Sequence, residues 1–251
     1  MMQRSAVSAG SLATLFQERA EPPSKSEIAW YAARLPRERG AVLDAMAGTG
    51  RLLVPLIEAG FHVHGAELSP TMLARCRTRL DALGRTAELF HQSVVALNLP
   101  FRYAASLIAG GAFQLLVHRN AALDALLRIR AHLVAPAILL LDLCVPAGAE
   151  HPPGAAVVEV QSVMPGDGMR IGLRSETSFD VEQRRIDVVR RYERRDRQAI
   201  IAREDETLSL TWYTEEDAVA LLGAAGYRDI DVDPAPWRSG NERHFAVSAR
   251  A

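Results

Sequence analysis

Val42-Leu43-Asp44-Ala45-Met46-Ala47-Gly48-Thr49-Gly50-Arg51 is the stretch whose reading decides the fold. An apolar run ends in an acid and a Gly-x-Gly turn follows. Seventeen residues after Gly50 a second apolar run ends in Glu67, within Val63-His64-Gly65-Ala66-Glu67-Leu68-Ser69. A strand, a glycine turn, a helix and a second strand tipped by an acid make the βαβ unit that binds an adenosine-containing cofactor. Gly48 and Gly50 let the backbone turn sharply and approach a ligand with no Cβ in the way. The helix expected to begin near Arg51 points its free N–H groups and the positive end of its dipole at that ligand. Glu67, at a strand end, is placed to accept from a ribose diol.

The dinucleotide version of this motif reads G-x-G-x-x-G. Here the third glycine position is Leu53, expected to hinder the close helix approach that a pyrophosphate requires. Asp44, four residues before Gly48, offers a carboxylate to a cationic amino group. S-adenosylmethionine carries such a group and a dinucleotide does not. A dinucleotide oxidoreductase is set back further by the absence of a recognisable hydride-transfer site.

These residues resemble the class I S-adenosylmethionine-dependent methyltransferases, whose first motif runs as apolar-apolar-(Asp/Glu)-x-x-x-Gly-x-Gly. The likeness extends from Leu43 to Pro146 and resumes from Tyr213 to Val247. It implies an α/β fold with a doubly wound, mostly parallel seven-stranded sheet, S-adenosylmethionine as cofactor and S-adenosylhomocysteine as product. Carried over by position, it places Asp44, Ala45, Met46, Gly48, Thr49, Gly50 and Arg51 at the cofactor, with Glu67 and Leu68 at the ribose and Met72 against the adenine. Phe90 to Pro100 is similar to the family's third-strand motif, but Ser93 stands where an Asp is usual. Gln92, Ser93 or a backbone group beside Val94 then has to serve the adenine amino group. Ala109 and Gly110 follow the fourth strand at the cofactor. The family's N-terminal helix pair closes over that molecule and brings in Tyr31 and Arg19. A second departure, Leu133-Val134-Ala135-Pro136-Ala137 in place of a Pro-Gly-Gly turn, restricts the turn to negative φ. The apolar run Ile138 to Leu143 that follows still reads as a buried parallel strand.

The 251 residues, 49% of them apolar, suffice for a substantial core, and a net charge of −1 gives no global draw toward nucleic acid or an acidic membrane. A small neutral or mixed substrate is the expectation. Arginine supplies nearly all the cations, Lys25 being the one lysine. Cys76 and Cys144 suit reduced thiols better than a disulfide framework. No apolar segment is long enough to span a bilayer and the N-terminus lacks a signal pattern, so the expected location is cytoplasmic.

The expected domains are an N-terminal helical cap over 1–36, a cofactor-binding core over 37–150, an antiparallel β insertion over 151–213, and a closing helix with the last two strands over 214–251. Helices are read from Leu12 to Glu18 and from Ser24 to Leu35, the second opened by a capping box of Ser24 and Glu27. Strands near 41–45, 61–67, 87–91, 103–109 and 137–144 alternate with helices at 50–59, 70–83 and 119–133. Then come four extended segments, Val157 to Met164, Met169 to Phe179, Arg185 to Tyr192 and Ala199 to Trp212, separated by turn sequences. Arg190, Arg191, Arg194, Arg195 and Arg197, with Glu193 and Asp196 among them, read as a solvated edge strand or a homodimer contact. A nucleic-acid surface would need aromatic interleaving, for which Tyr192 is the only candidate.

The loop after the fourth strand, Ala109 to Gln114, is expected to line the substrate side, with Gly111, Phe113 and Gln114 as contacts. It lacks the Asn/Asp-Pro-Pro-aromatic sequence of amino-methylating nucleic-acid enzymes. A methyl on a sulfonium is already activated, so alignment dominates, and a base helps where the nucleophile arrives protonated. His118, shortly after the loop, is the candidate base. Trp212 and Tyr213 could stack on a ring or surround a cationic amine. His62 and His64 alternate on a strand without a third ligand at suitable spacing, so no metal is expected. The function expected is methylation of nitrogen or oxygen on a small-molecule acceptor. The alternative is a non-catalytic S-adenosylmethionine-binding or assembly protein with the same fold.

Overall fold

The computed structural model describes residues 11–20, 22–37, 40–146, 156–235, 237 and 243–251, so His151 and the segment around it lie outside the described residues. In chain order the elements are α1 Leu12–Ala20, α2 Lys25–Arg34, β1 Val42–Asp44, α3 Leu53–Glu58, β2 Val63–Glu67, α4 Pro70–Ala82, β3 Leu89–His91, β4 Tyr103–Ile108, α5 Arg119–Ala131 and β5 Leu133–Val145. They continue with β6 Ala156–Val163, β7 Arg170–Asp180, β8 Arg185–Asp196, β9 Ala199–Thr211, α6 Glu215–Ala224, β10 Arg228–Pro234 and β11 Arg243–Arg250. Two compact units result: residues 23–147 with 211–251, and residues 1–22 with 148–210.

In the first unit seven strands lie in the order β10-β11-β5-β4-β1-β2-β3. All neighbours are parallel except β11, which runs antiparallel to both β5 and β10. The chain winds from β1 through β2 to β3 on one side, then restarts beyond β1 with β4 and β5. The reversal leaves a crevice at the carboxyl ends of β1 and β4, where open α/β sheets bind ligands. β1 and β2 are buried at every residue because helices cover both faces, which is why they read as apolar runs. One face packs Leu43, Ile108, Leu126 and Leu141 in a common cluster, and the other packs Val42, Leu53, Val63 and Leu107. Each such side chain stabilises the fold by roughly 1.5–3 kcal/mol.

The helix expected over 50–59 begins only at Leu53. Gly50 adopts φ +77°, which a helical residue cannot have, so 48–52 stay in the turn. Leu53 does not hinder packing, because the strand beneath it has given up its side chain. A Cβ added to Gly65 would lie 2.8 Å from Leu53 Cδ1, 3.0 Å from Leu89 Cδ2 and 3.1 Å from Ala47 Cβ. The close approach is made from the strand instead of the helix.

At the opposite, amino end of β2, His64 is 2% exposed, and its ring nitrogens lie 3.4 Å from the Tyr103 hydroxyl and 3.1 Å from His62 Nε2. Burial, and secondarily His62, holds its pKa below the usual value, with Glu88 opposing. The unfolded chain therefore takes up this proton first, and stability is lost as pH falls below about 6.5. Urea unfolding should show a folding constant weakening by up to about tenfold per pH unit there. His64→Asn should flatten that limb, and an unaltered slope would remove His64 as its origin.

In the second unit the strands lie in the order β6-β7-β8-β9. α1 covers one face, packing Leu12, Ala13 and Phe16 against Ile171, Leu173 and Tyr192. β8, which carries the arginine run, is therefore an interior strand and not the edge strand expected from its charge. Its arginines are matched by acids on β9: Arg191 pairs with Asp205 at 2.8 Å and Arg190 with Glu206 at 3.6 Å. No described helix is long and apolar enough to cross a membrane.

Candidate active site

β1 and β2 both end in a carboxylate, and β5 carries a third near its carboxyl end. Asp44 closes β1 and is 2% exposed. Burial pushes its carboxyl up to about 7, against a backbone N–H of Met46 and the Arg51 charge that hold it down, with Glu67 and Asp142 adding to the rise. Its Oδ1 is buried and has no hydrogen-bond partner among the described residues. Ala45 N–H continues the β1 pairing to Leu107 O at 3.0 Å, and Met46 packs partly buried against the core. Gly48 turns at φ +57° and donates its N–H to Glu67 Oε2 at 2.9 Å. A Cβ at Gly48 would meet nothing within 4 Å, so this face of the turn is open. Thr49 O is held by Arg79 of α4 at 3.0 Å.

Glu67 closes β2. Its second oxygen accepts from Ser69 N–H at 2.7 Å, where the chain turns into α4 under a Ser69 cap on Met72 N–H. One backbone N–H on each oxygen leaves each a further acceptor site. Leu68 is 55% exposed, whereas Met72 is buried at the start of α4. Gln92 is spent on the loop itself: its amide donates to Asn98 O at 3.2 Å and accepts from Asn98 N–H at 2.8 Å. The Ser93 hydroxyl makes no cap on the 3-10 turn opened by Val94, so of the two it is the one free to face an adenine.

Gly110 and Gly111 follow β4 with φ +73° and +67°. Gly110 N–H donates to Asp142 Oδ1 at 2.7 Å, and the Tyr31 hydroxyl donates to the same oxygen at 2.8 Å. Tyr31 is fully buried, which together with the adjacent Asp142 charge keeps its hydroxyl protonated far above the usual range. Asp142, three residues before the end of β5, repeats the apolar-then-acid pattern of β1 and β2, and that repetition was the signal that could have found it. Glu27 is the other unanticipated member. Ser24 Oγ accepts from Glu27 N–H, but the Glu27 carboxylate does not return to the cap. It grips Arg51 with both oxygens instead, one of them 2.9 Å from Nη1, so the capping box is only half formed.

The substrate-side candidates divide. Phe113 and Tyr213 are buried against each other at 5.8 Å between ring centres, and Trp212 is buried beside them in sequence. Gln114 ties β5 to the returning chain, donating to Cys144 O at 3.1 Å and Thr211 O at 2.8 Å while accepting from Cys144 N–H at 2.9 Å. Its amide holds the backbone together. Ala109 and Gly111 remain partly accessible, and His118 is exposed at the start of α5 without capping it. Arg19 belongs to the other unit, where it donates to Pro165 O at 3.0 Å.

The donor set fits S-adenosylmethionine. An unpartnered buried carboxylate oxygen suits the ammonium, Glu67 suits the ribose diol, and the open face of Gly48 leaves room for the chain between them. No group of His, Cys, Asp and Glu among the described residues could hold a metal.

A family model described as a methyltransferase domain matches residues 42–135. A protein of Geobacillus sp. (strain WCH70), provisionally named a methyltransferase, is 40% identical over 57 residues, 23% of this chain and 23% of that protein. The chain thus matches about a quarter of that relative's length. Among solved structures, an amino pentose methyltransferase of Micromonospora echinaspora with S-adenosylmethionine bound aligns with a TM-score of 0.69 and 23% identity, covering 90% of this chain and 91% of that one. A sugar N-methyltransferase of Streptoalloteichus sp. aligns with a TM-score of 0.70 and 21% identity, covering 90% and 88%. With its strand order and its acid-tipped glycine turn, the chain carries a methyltransferase domain over residues 42–135 and shares the fold of these S-adenosylmethionine-dependent methyltransferases.

Proposed function

We propose that the protein transfers a methyl group from S-adenosylmethionine to an amine nitrogen of a small polar acceptor, releasing S-adenosylhomocysteine. The observation that carries the reading is the buried, unpartnered Asp44 Oδ1 beside the open face of Gly48, with Glu67 one strand away. Nitrogen rather than oxygen is supported by Asp142, a further carboxylate fixed against the loop after β4, which favours a cationic acceptor over a neutral hydroxyl. The likeness to amino pentose and sugar N-methyltransferases supports the same choice.

When bound, the cofactor supplies a methyl already activated by the sulfonium. The chain's own residues then hold the nitrogen in line with the S–CH3 bond and keep water away. A cationic acceptor must give up one proton before its nitrogen lone pair can attack the methyl, and the methylammonium then formed leaves with its remaining protons. His118 is proposed to take that proton, since its exposed ring closes the segment leading from β4 to α5 and is not used as a cap. Titration calorimetry should show S-adenosylhomocysteine binding and NAD not binding, and amino sugars should be methylated where their hydroxyl counterparts are not. His118→Asn should lower kcat about a hundredfold with the product's affinity unchanged. Turnover near the wild-type value would remove His118 from the chemistry. A homodimer through the edge strand β6, where Val158 and Val160 are 50% and 75% exposed, belongs to the same proposal, as does a cytoplasmic location suited to Cys76 and Cys144, which are not joined in a disulfide. Sedimentation equilibrium tests the dimer.

A further inference from the structure

Glu27 is an odd residue to find buried. It lies in the first turn of α2, is 3% exposed, and has both oxygens on the Arg51 guanidinium. A carboxylate is kept at such depth only while it is paired. Its partner follows Gly50 directly and stands among the strand ends, where Asp142 and Tyr31 as well as Glu27 act on it electrostatically and it acts in turn on Asp44.

The amino-acid end of the cofactor is a zwitterion, an ammonium and a carboxylate on one carbon. Asp44, with its buried unpartnered Oδ1, and Arg51 form a pair of opposite charges flanking the glycine turn. The fork of an arginine takes one carboxylate bidentately on a given edge, and Glu27 occupies the Nη1 and Nη2 edge of Arg51, which cannot serve two at once. We propose that Arg51 is the receptor for the cofactor's α-carboxylate and that Glu27 is its resident competitor, holding the place in the ligand-free protein and yielding it on binding. This rests on the S-adenosylmethionine reading above. Glu27 can leave without unseating the helix. Tyr31 on Asp142 at 2.8 Å and Arg34 on Asp233 at 2.8 Å anchor its later turns, and Pro22-Pro23 precede its first.

The test uses two ligands on the full chain by titration calorimetry. S-adenosylhomocysteine carries the amino-acid end, and 5′-methylthioadenosine has the same nucleoside and thioether without it. The quantity read is the ratio of their affinities. Glu27→Gln should raise the preference for S-adenosylhomocysteine by about fivefold or more, and Arg51→Met should lower it by about tenfold or more, each with the affinity for methylthioadenosine nearly constant. A ratio unmoved in either variant, or both ligands weakened together in Glu27→Gln, overturns the proposal and leaves Glu27 as a helix anchor. Thermal melting of both variants confirms that the measured protein is folded. Absence of S-adenosylhomocysteine binding in the wild type, by contrast, sinks the cofactor reading itself.

Discussion

Asp44→Asn should raise the melting temperature of the ligand-free protein at pH 8 and at the same time abolish measurable binding of S-adenosylhomocysteine. Both effects come from burial. The folded protein holds the Asp44 carboxyl at about 7 instead of an ordinary 3.8, so the folded state binds that proton more tightly than the unfolded chain. The stabilisation is complete at low pH and is lost as pH rises through about 7. At pH 8 the buried anion lowers stability by roughly 4 kcal/mol relative to the neutral acid. Asparagine cannot ionise, and the relief corresponds to roughly 8–16 °C in a chain of this size. The difference in stability between wild type and variant should shrink as pH falls from 7 and vanish only below about 3.8, and a difference independent of pH would contradict the assignment. The ligand's ammonium recovers that strain, so wild-type affinity should fall by up to about tenfold per pH unit below 7. Retained affinity in Asp44→Asn would remove the residue from the site.

Gly50→Ala is expected to destabilise by about 2–4 kcal/mol. Two terms add: alanine at φ +77° costs about 1 kcal/mol, and overpacking adds about 1–3 kcal/mol. The new Cβ would stand 2.6 Å from Cys76 Sγ and 3.1 Å from Val54 Cγ2, with Cys76 itself fully buried on α4. Cys76→Ala in the same background should restore the packing part and leave the backbone part, so the two substitutions should be non-additive in urea unfolding. Strict additivity would mean that Cys76 is not what the glycine accommodates.

The sheet was legible because its strands are buried on both sides and alternate with helices, and both acid-tipped runs announced the crevice before any packing was known. Partnerships across the chain were not legible. Glu27 sits at capping distance from Ser24, and nothing local says that its carboxylate crosses to Arg51. Gln92 looked like a ligand group, yet Asn98 six residues on consumes both ends of its amide. Leu53 read as an obstruction because the compensating glycine lies on another strand, at Gly65. The arginines of β8 suggested an edge because charge is a surface signal, while strand order depends on which segment arrives beside it. Asp142 alone was within reach of the pattern already in use.

The position of β11 has a consequence for how the molecule is made. Ile138 to Val145 of β5 pair with Arg243 to Arg250, so the outer neighbour of β5 is translated about a hundred residues later. All of β6 to β9 emerges from the ribosome in the interval, and β6, β7 and β8 pair with adjacent hairpin partners that need no such wait. During synthesis the apolar flank of β5 thus stays open as a sticky margin. Nascent chains of this protein should depend on chaperones most while that margin is uncovered.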